Sequence, residues 1–406
     1  MEIHNFEMLK EFYKGDKLNV AIVTDIFFPT HGGVSFVVDN LAKAFLRSGK
    51  VNVAVFTGKV KGYTDNAPYP VIRVKSFPIP KAWGDSLPLP SLDGKLKKLI
   101  DELKIDVIDA HSVFGISTFF MSYAKKLGLP IVYHGHGMFD GEYPTYIKCK
   151  PVCNMMVRRG YKIVNRADFI MPVSNKTKIN YQNNGVDKPM QVLPNATDMT
   201  ESIEFDYAAD LICDKHGISK DYTNVFVFAS RLEMECKNID FLLESLKLIK
   251  DAGVQFKILI VGGGRDRENI IELVKKLSLD EQVVMVGEVR DRQLLKCYYR
   301  RADLHLFPSV KDNCPLTKFE AASQFTPTVA IEKTGSCEGI EDGVNGYVCA
   351  ENVNDYSQKI ISAISDREKL KEISRMARKT LVKSWDNAAE SCIDKYREML
   401  TGGGTL

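Results

Sequence analysis

The stretch FPSVKDNCPLTKFEAASQFTPTVA, residues 307–330, holds two acids, Asp312 and Glu320, eight residues apart with Pro315 between them. Proline suits the first helical position, where a missing N–H costs nothing. That puts Asp312 in a strand-to-helix loop and Glu320 in the second turn of the helix. Each carboxylate can accept two hydrogen bonds from a vicinal diol, and the amides of Leu316 and Thr317 suit an anion. The small residues Ala321, Ala322 and Ser323 let this helix pack closely. The same spacing also fits two solvated surface acids.

A second pair is cationic. In FASRLEMECKNIDFLLESLKLI, Arg231 stands at a strand end and Lys237 just ahead of a helix marked by Ile239, Leu242, Leu246 and Ile249, with Asn238 as its N-cap. A lysine there opposes the helix dipole by about 0.3–1 kcal/mol. The opposition becomes a gain if a phosphate lies between Lys237, Arg231 and the helix amides. The plainer reading pairs both cations with Glu233 and Glu235. A third feature is PIVYHGHGMFD, in which His134 and His136 leave a strand on the same side, beside Gly135 and Gly137. They are either buried, hydrogen-bonded imidazoles or groups facing a ligand. A fourth is Gly32-Gly33 in FFPTHGGVS, at the entry to a helix. It reads as a turn needing positive φ or as bare backbone for an anion. It lacks the Gly-x-Gly-x-x-Gly dinucleotide pattern.

These residues need strands and helices to hold them. LNVAIVTDIFF, VNVAVFTG, IDVIDAHS, PIVYHGH and DFIMPVS read as strands of a first half; NVFVFASR, KILIVGGG, QVVMVGEV, LHLFPS and PTVAIE as strands of a second. Helical patterns follow them, as with Val34, Val38, Leu41 and Phe45 after the first. Apolar strands alternating with helices predict parallel sheets covered on both faces. The expected fold is α/β: two doubly wound, Rossmann-like domains facing a central cleft, with ligands beyond the carboxyl ends of the strands.

A chain of 406 residues, 45% hydrophobic and 26% charged, fits two soluble domains. No apolar run reaches 18 residues, and MEIHNFEMLKEFYKGDKLNV lacks the apolar core of a secretory signal. Nine scattered cysteines suit a reducing cytosol, and Cys149-x3-Cys153 alone is a weak metal signal. Residues 1–205 carry a net +6 and the remainder −3, which suggests an anionic surface or substrate for the first half or simply scatter over solvated faces. No basic tract interleaved with aromatics points to nucleic acid. KCKPVCNMMVRRGYKIVNRAD carries Lys148, Lys150, Arg158, Arg159, Lys162 and Arg166 around Met155, Met156 and Val157. It reads as a core helix with a charged face or a basic amphipathic segment on an anionic membrane. The first 15 residues read as a helix or an arm, and the tail GGGTL as disordered.

Taken in order along residues 18–400, these pieces resemble the retaining GT-B glycosyltransferases of family four, the glycosyl transferases group 1. The matching parts are FFPTHGGVS, HGMFD (so His136 rather than His134), Arg231 with Lys237, Asp312 with Glu320, and EDGVNGYVC. The resemblance implies an N-terminal acceptor-binding domain over 1–205 and a nucleotide-sugar-binding domain over 206–385, with a terminal helix, 386–406, crossing back. It implies that Gly32 and Gly33 offer backbone to a diphosphate, that Arg231 and Lys237 hold it, that Asp312 binds sugar hydroxyls and that Glu320 binds ribose. His136 would touch the donor sugar, and the base would lie by Gly287 and Val289. Leu316 and Thr317 would supply amides where Pro315 replaces the family's glycine; Asp312 replaces its glutamate. The implied reaction moves a hexose, with retention, from a UDP-linked donor to a lipid-linked or saccharide acceptor of envelope glycolipid or polysaccharide. No metal or cofactor is implied. The implied location is cytoplasmic, peripheral on the inner membrane face. Alternatives of the same architecture are a nucleotide-sugar epimerase and a non-catalytic partner subunit.

Overall fold

The structure is a computed structural model, describing residues 1–30, 32–78, 86–220 and 222–402. His31 and the tail beyond Gly402 lie outside the described residues. The chain divides into two units, Met1–Asn195 with Trp385–Leu406, and Ala196–Ser384. The division falls at 195/196, ten residues before the expected 205/206.

The first unit is built on β1 (Glu2–His4), β2 (Leu18–Val23), β3 (Val51–Gly58), β4 (Val71–Val74), a hairpin of β5 (Ser76–Pro78) and β6 (Ser86–Pro88), β7 (Val107–Ala110), β8 (Ile131–Gly135) and β9 (Phe169–Pro172). Its helices are α1 (Gly33–Ser48), α2 (Leu96–Glu102), α3 (Gly115–Leu127), α4 (Phe139–Tyr146), α5 (Lys150–Val164) and α6 (Asn175–Asn183). The main sheet runs β1-β4-β3-β2-β7-β8-β9, parallel except for β1. Near-continuous apolar strands such as β3, buried along all eight residues, are what two covered faces require. The N-terminal segment is part of this sheet: β1 pairs with β4, and the following 3-10 turn buries Leu9 and Phe12.

The second unit contains β10 (Val225–Ala229), β11 (Lys257–Val261), β12 (Val283–Gly287), β13 (Leu304–Phe307), β14 (Thr328–Ile331) and β15 (Tyr347–Cys349), all parallel, in the order β12-β11-β10-β13-β14-β15. Its helices are α7 (Phe205–His216), α8 (Met234–Lys237), α9 (Ile239–Asp251), α10 (Arg267–Lys276), α11 (Arg292–Arg301), α12 (Leu316–Ser323), α13 (Val353–Ser365) and α14 (Arg367–Leu381). The strand order reverses between β10 and β13, the arrangement in which the two flanking loops part and leave a crevice. In the first unit the same reversal falls between β2 and β7.

The last helix, α15 (Trp385–Thr401), belongs to the first unit. It turns Trp385, Ala388, Ala389, Cys392, Ile393 and Tyr396 inward at helical spacing. Arg47 and Lys50 pair with its Asp386 and Glu390, each at 2.6 Å. All nine cysteines are free thiols.

Candidate active site

Arg231 and Lys237 leave the carboxyl end of β10, and Asp312 leaves that of β13, so the loops that carry them flank the switch point of the second sheet. Lys237 Nζ lies 2.7 and 2.8 Å from the two oxygens of Asp312, with its side chain only 10% exposed. Ser309 also donates to Oδ2 of Asp312. The partners therefore differ from the Glu233 and Glu235 that sequence proximity offered Lys237. Glu235 pairs with Lys311 at 2.5 Å, while Glu233 takes Arg231 at 3.0 Å. Arg231 remains largely solvent-exposed, and its ionic partner Glu233 is not shared with Lys237 or Glu320.

The local geometry departs from expectation in two places. Lys237 closes the short helix α8 instead of preceding an N-cap, so it complements that helix's carbonyl end. Asn238 adopts φ 56°, makes no side-chain cap, and donates to Pro308 O at 3.3 Å, tying the two switch-point loops together. Pro315 is the N-cap of α12 rather than its first residue, with φ −66° and ψ 132°. Leu316 and Thr317 are thus the first two helical residues, as the amide argument requires. The Thr317 hydroxyl is buried and has no hydrogen-bond partner among the described residues.

Glu320 sits one turn further in, buried, and is held by different groups. Its Oε1 accepts from Arg292 at 2.9 Å and its Oε2 from the Tyr299 hydroxyl at 3.1 Å. Arg292 follows β12 and also pairs with Asp198, so the loop carrying Gly287 and Val289 is drawn to α12 through this arginine. Burial works against the guanidinium's charge, but Glu320 and Asp198 outweigh it and raise its pKa. Burial and the adjacent Glu320 push the Tyr299 phenol far above its ordinary value, so it stays a donor. Neither Arg292 nor Tyr299 was singled out by sequence; both lie on α11, which the sequence offered only as one more helical pattern after a strand.

Glycines set how closely these loops pack. A Cβ at Gly262 would lie 1.8 Å from the carbonyl oxygen of Ser230, and one at Gly335 2.2 Å from that of Asn313. The loops after β11 and β14 can therefore approach the Arg231 and Asp312 loops only as bare backbone. Gly287 has φ +88° and accepts the Gly262 amide at 2.8 Å, closing the edge on the β12 side.

In the first unit, Gly32 is extended at φ −147° and Gly33 opens α1. A Cβ on either would meet open space. The turn needing positive φ is thus not what these glycines supply; they leave backbone uncovered at the start of a 16-residue helix. His136 follows β8 and contacts His111, a residue the strand reading of IDVIDAHS passed over, with 2.8 Å between His136 Nε2 and His111 Nδ1. Gly135 between the two histidines lies against Tyr181: a Cβ there would come within 2.7 Å of its hydroxyl. That hydroxyl donates to Gly137 O at 2.9 Å and holds the segment.

Two family models match this chain in tandem. "Glycosyltransferase Family 4" covers residues 31–201, and "Glycosyl transferases group 1" covers 213–380. The chain belongs to glycosyltransferase family four. It is therefore an enzyme, of the hexosyltransferase class. Among relatives of the family, alpha-monoglucosyldiacylglycerol synthase of Acholeplasma laidlawii is 22% identical over 82% of this chain and 85% of its own. Among solved structures, sucrose-phosphate synthase from Thermosynechococcus elongatus superposes with a TM-score of 0.77 at 18% identity, covering 95% of this chain and all of that one. Anabaena HepE in complex with UDP gives 0.71 at 16% identity over 94% of this chain and all of its own. These likenesses establish the GT-B fold. Family four membership sets aside the epimerase alternative.

The basic segment also changes on inspection. Helix α5 buries Cys153, Tyr161, Ile163 and Val164, and Met156 and Val157 pack against the same core. Its outer face carries Lys150, Val152, Met155, Arg158, Arg159 and Lys162, with Met155 60% exposed. Arg166 is tied to Ser122 at 3.2 Å. Among the described residues no helix is long and apolar enough to cross a membrane.

Proposed function

We propose that this enzyme transfers a hexose, with retention, from a UDP-linked donor to a lipid-linked or saccharide acceptor in envelope glycolipid or polysaccharide assembly. The observation carrying this reading is the Lys237–Asp312 pair on the two loops flanking the β10/β13 reversal. Breaking a sugar–phosphate bond places positive charge on the ring and negative charge on the departing diphosphate. Fixed cations and helix amides beside the leaving group lower that barrier. Lys237, Arg231 and the Leu316 and Thr317 amides supply them, without a metal ion. The Gly32–Gly33 backbone offers further amides.

Asp312 keeps acceptor capacity after binding Lys237 and Ser309, because a carboxylate has about four lone-pair sites; these take donor-sugar hydroxyls. Glu320, oriented by Arg292 and Tyr299, takes the ribose hydroxyls, and the backbone near Gly287 and Val289 takes the base. His136 contributes a sugar contact from the first unit. A UDP-linked donor is supported by the UDP bound in HepE. A lipid acceptor is supported by the diacylglycerol product in the name of the Acholeplasma relative and by the basic, Met155-bearing face of α5. That face suits peripheral contact with an anionic cytoplasmic leaflet.

A panel of nucleotide sugars tests the donor. The cognate one, at 100 times its Kd, stabilises by about 2.7 kcal/mol and raises the melting temperature; no shift with any UDP-sugar overturns the donor assignment. Nuclear magnetic resonance of the product reads retention directly. Salt-sensitive binding to vesicles containing phosphatidylglycerol tests the membrane contact, and no binding at low ionic strength removes it.

A further inference from the structure

The chain passes from the first unit into the second after Asn195 and returns after Ser384. Just inside the second unit the two passages are joined, for the Thr197 amide donates to Lys383 O at 3.0 Å. Beyond Thr197 the incoming segment, 198–203, is neither helix nor strand. It is held at three places. Gln324, fully buried at the end of α12, accepts the Ile203 amide at 3.0 Å and donates to Glu201 O at 3.1 Å. Arg378 of α14 donates to Thr200 O at 2.9 Å and to Ser323 O. Asp198 takes Arg292 through both oxygens, Nε to Oδ2 at 3.2 Å and Nη2 to Oδ1.

The first two holds end on backbone and close within the protein. The third does not. The Nη2 of Arg292 that meets Asp198 also donates to Glu320 Oε1 at 2.9 Å. That nitrogen has two hydrogens and Nε has one, so a single planar guanidinium can serve both acids at once. Its fork is rigid, so the orientation that suits Glu320 sets the direction offered to Asp198. Arg292 and Asp198 are 38% and 39% exposed, and an exposed ion pair loses most of its attraction to the side-chain entropy of holding two groups in one geometry. Glu320, with Arg292 on one oxygen and Tyr299 on the other, keeps lone pairs for a diol. A diol seated there fixes Glu320 and with it the guanidinium. The bridge is then already ordered where it meets Asp198, and the second contact forms with less loss of freedom.

We propose that Asp198 couples the ribose end of the donor site to the segment 198–203: a diol on Glu320 orders Arg292, and Arg292 then holds Asp198 and the backbone that carries it. Asp198 is a positioning residue, acting on the nucleotide only through Arg292 and Glu320. The coupling rests on Glu320 taking the ribose hydroxyls, as proposed above. It runs both ways, since a held Asp198 presents Glu320 in its binding orientation.

The test is hydrogen exchange of the full-length protein, read by mass spectrometry on peptides spanning 197–203. It is run without ligand, with saturating UDP, and with saturating 2′,3′-dideoxy-UDP, which keeps the base and diphosphate and lacks the diol. UDP is expected to slow exchange by roughly 5-fold or more, the low end of couplings between sites, and the dideoxy analogue by less than about twofold. Equal protection by the two ligands, or none by UDP, overturns the proposal without any variant. Asp198→Ala leaves the Gln324 and Arg378 contacts in place. It should abolish the difference between bound and free, and weaken UDP binding by about the factor by which UDP slowed exchange, because coupling is reciprocal. A residue that only braced the fold would not move a difference taken within one protein. Persistence of that difference in Asp198→Ala overturns the proposal. Equal affinity of UDP and its dideoxy analogue in calorimetry would take the ribose away from Glu320, and the coupling with it. Tighter binding of UDP that leaves 197–203 unprotected would remove the coupling alone.

Discussion

Replacing Lys237 by methionine should do two separable things. The substitution removes two charge-assisted contacts, 2.7 and 2.8 Å, from a lysine that is 10% exposed to an aspartate that is 22% exposed. A hydrogen bond to a charged group contributes about 1.5–3 kcal/mol. Asp312 keeps Ser309 and some water, so the lower part of that range applies, about 1.5–2 kcal/mol. For a unit the size of 196–384 this lowers the melting temperature by roughly 3–8 °C. Catalysis should fall further. One fixed charge-stabilising group is worth about 10²–10³ in kcat. The double variant Lys237→Met/Asp312→Leu distinguishes a strut from a catalytic cation. With both charges gone no buried charge is left unpaired, and stability should return to within about 1 kcal/mol of the wild type. Turnover should not return. Melting is followed by scanning fluorimetry and turnover by UDP release at saturating donor. If the double variant regains both stability and turnover to within about tenfold, the pair is a structural strut and the leaving-group argument fails.

Glu320→Gln weakens a carboxylate held at 2.9 Å by Arg292 and 3.1 Å by Tyr299. UDP affinity by calorimetry should drop about tenfold, or ~1.4 kcal/mol, and unchanged affinity would remove the ribose contact. His305 is fully buried and burial lowers its pKa to about 3. The unfolded chain, titrating near 6.5, then binds more protons than the folded one between those values, so stability falls as pH drops through 6.5 towards 3. The slope from this group is at most about 1.4 kcal/mol per pH unit. His305→Leu should flatten that acid limb in urea titrations, and an unaltered limb would count against it. Gly262→Ala forces a Cβ to within 1.8 Å of Ser230 O at φ +143°. A cost of roughly 1–3 kcal/mol and a higher donor KM are expected, and a silent substitution would show that the Arg231 loop need not lie so close.

What the sequence disclosed follows from how local each signal is. The apolar runs that became β2, β3, β10, β11, β13 and β14 are buried on both faces, and that pattern survives without knowledge of neighbours. The edge strand β1 was hidden because its three residues, Glu-Ile-His, owe their structure to pairing with Arg73, Ile72 and Val71. Arg231 with Glu233 is a short-range pair and was foreseeable. Lys237 with Asp312 is not, since 75 residues separate them and only the β10–β13 adjacency joins their loops. Asp109 and His111 both fell inside the strand reading IDVIDAHS and neither was singled out; the strand ends at Ala110, one residue before His111. What surrounds them depends on β8 lying alongside β7 and on α15 returning Tyr396 to Asp109. The core-helix and membrane-surface readings of α5 could not be separated for Met156 and Val157, because a helix's rotation about its axis is set by what it packs on, here the core of the first unit.

The Lys237–Asp312 contact also bears on why a shorter acid can serve at position 312. A phosphate approaching Lys237 meets a cation that already shares its protons with a carboxylate, so its net gain is the difference between two hydrogen-bonded pairs, not a full charge–charge attraction. The remaining attraction must come from Arg231 and the start of α12. Arg231 is the more hydrated of the two cations and, among the described residues, forms its ion pair with Glu233. The return is orientation. Asp312, pinned through both oxygens and Ser309, cannot sweep through rotamers as a free acid does. Its unused lone pairs keep fixed directions, and fixed acceptors discriminate between epimeric hydroxyls where mobile ones do not. Asp312→Glu adds a methylene between backbone and carboxylate, so the carboxylate cannot keep both the Lys237 contact and its place. It should therefore relax sugar selectivity more than it lowers UDP affinity. A competition assay between UDP-glucose and UDP-galactose measures this, and an unchanged ratio would show that Asp312 does not select the sugar.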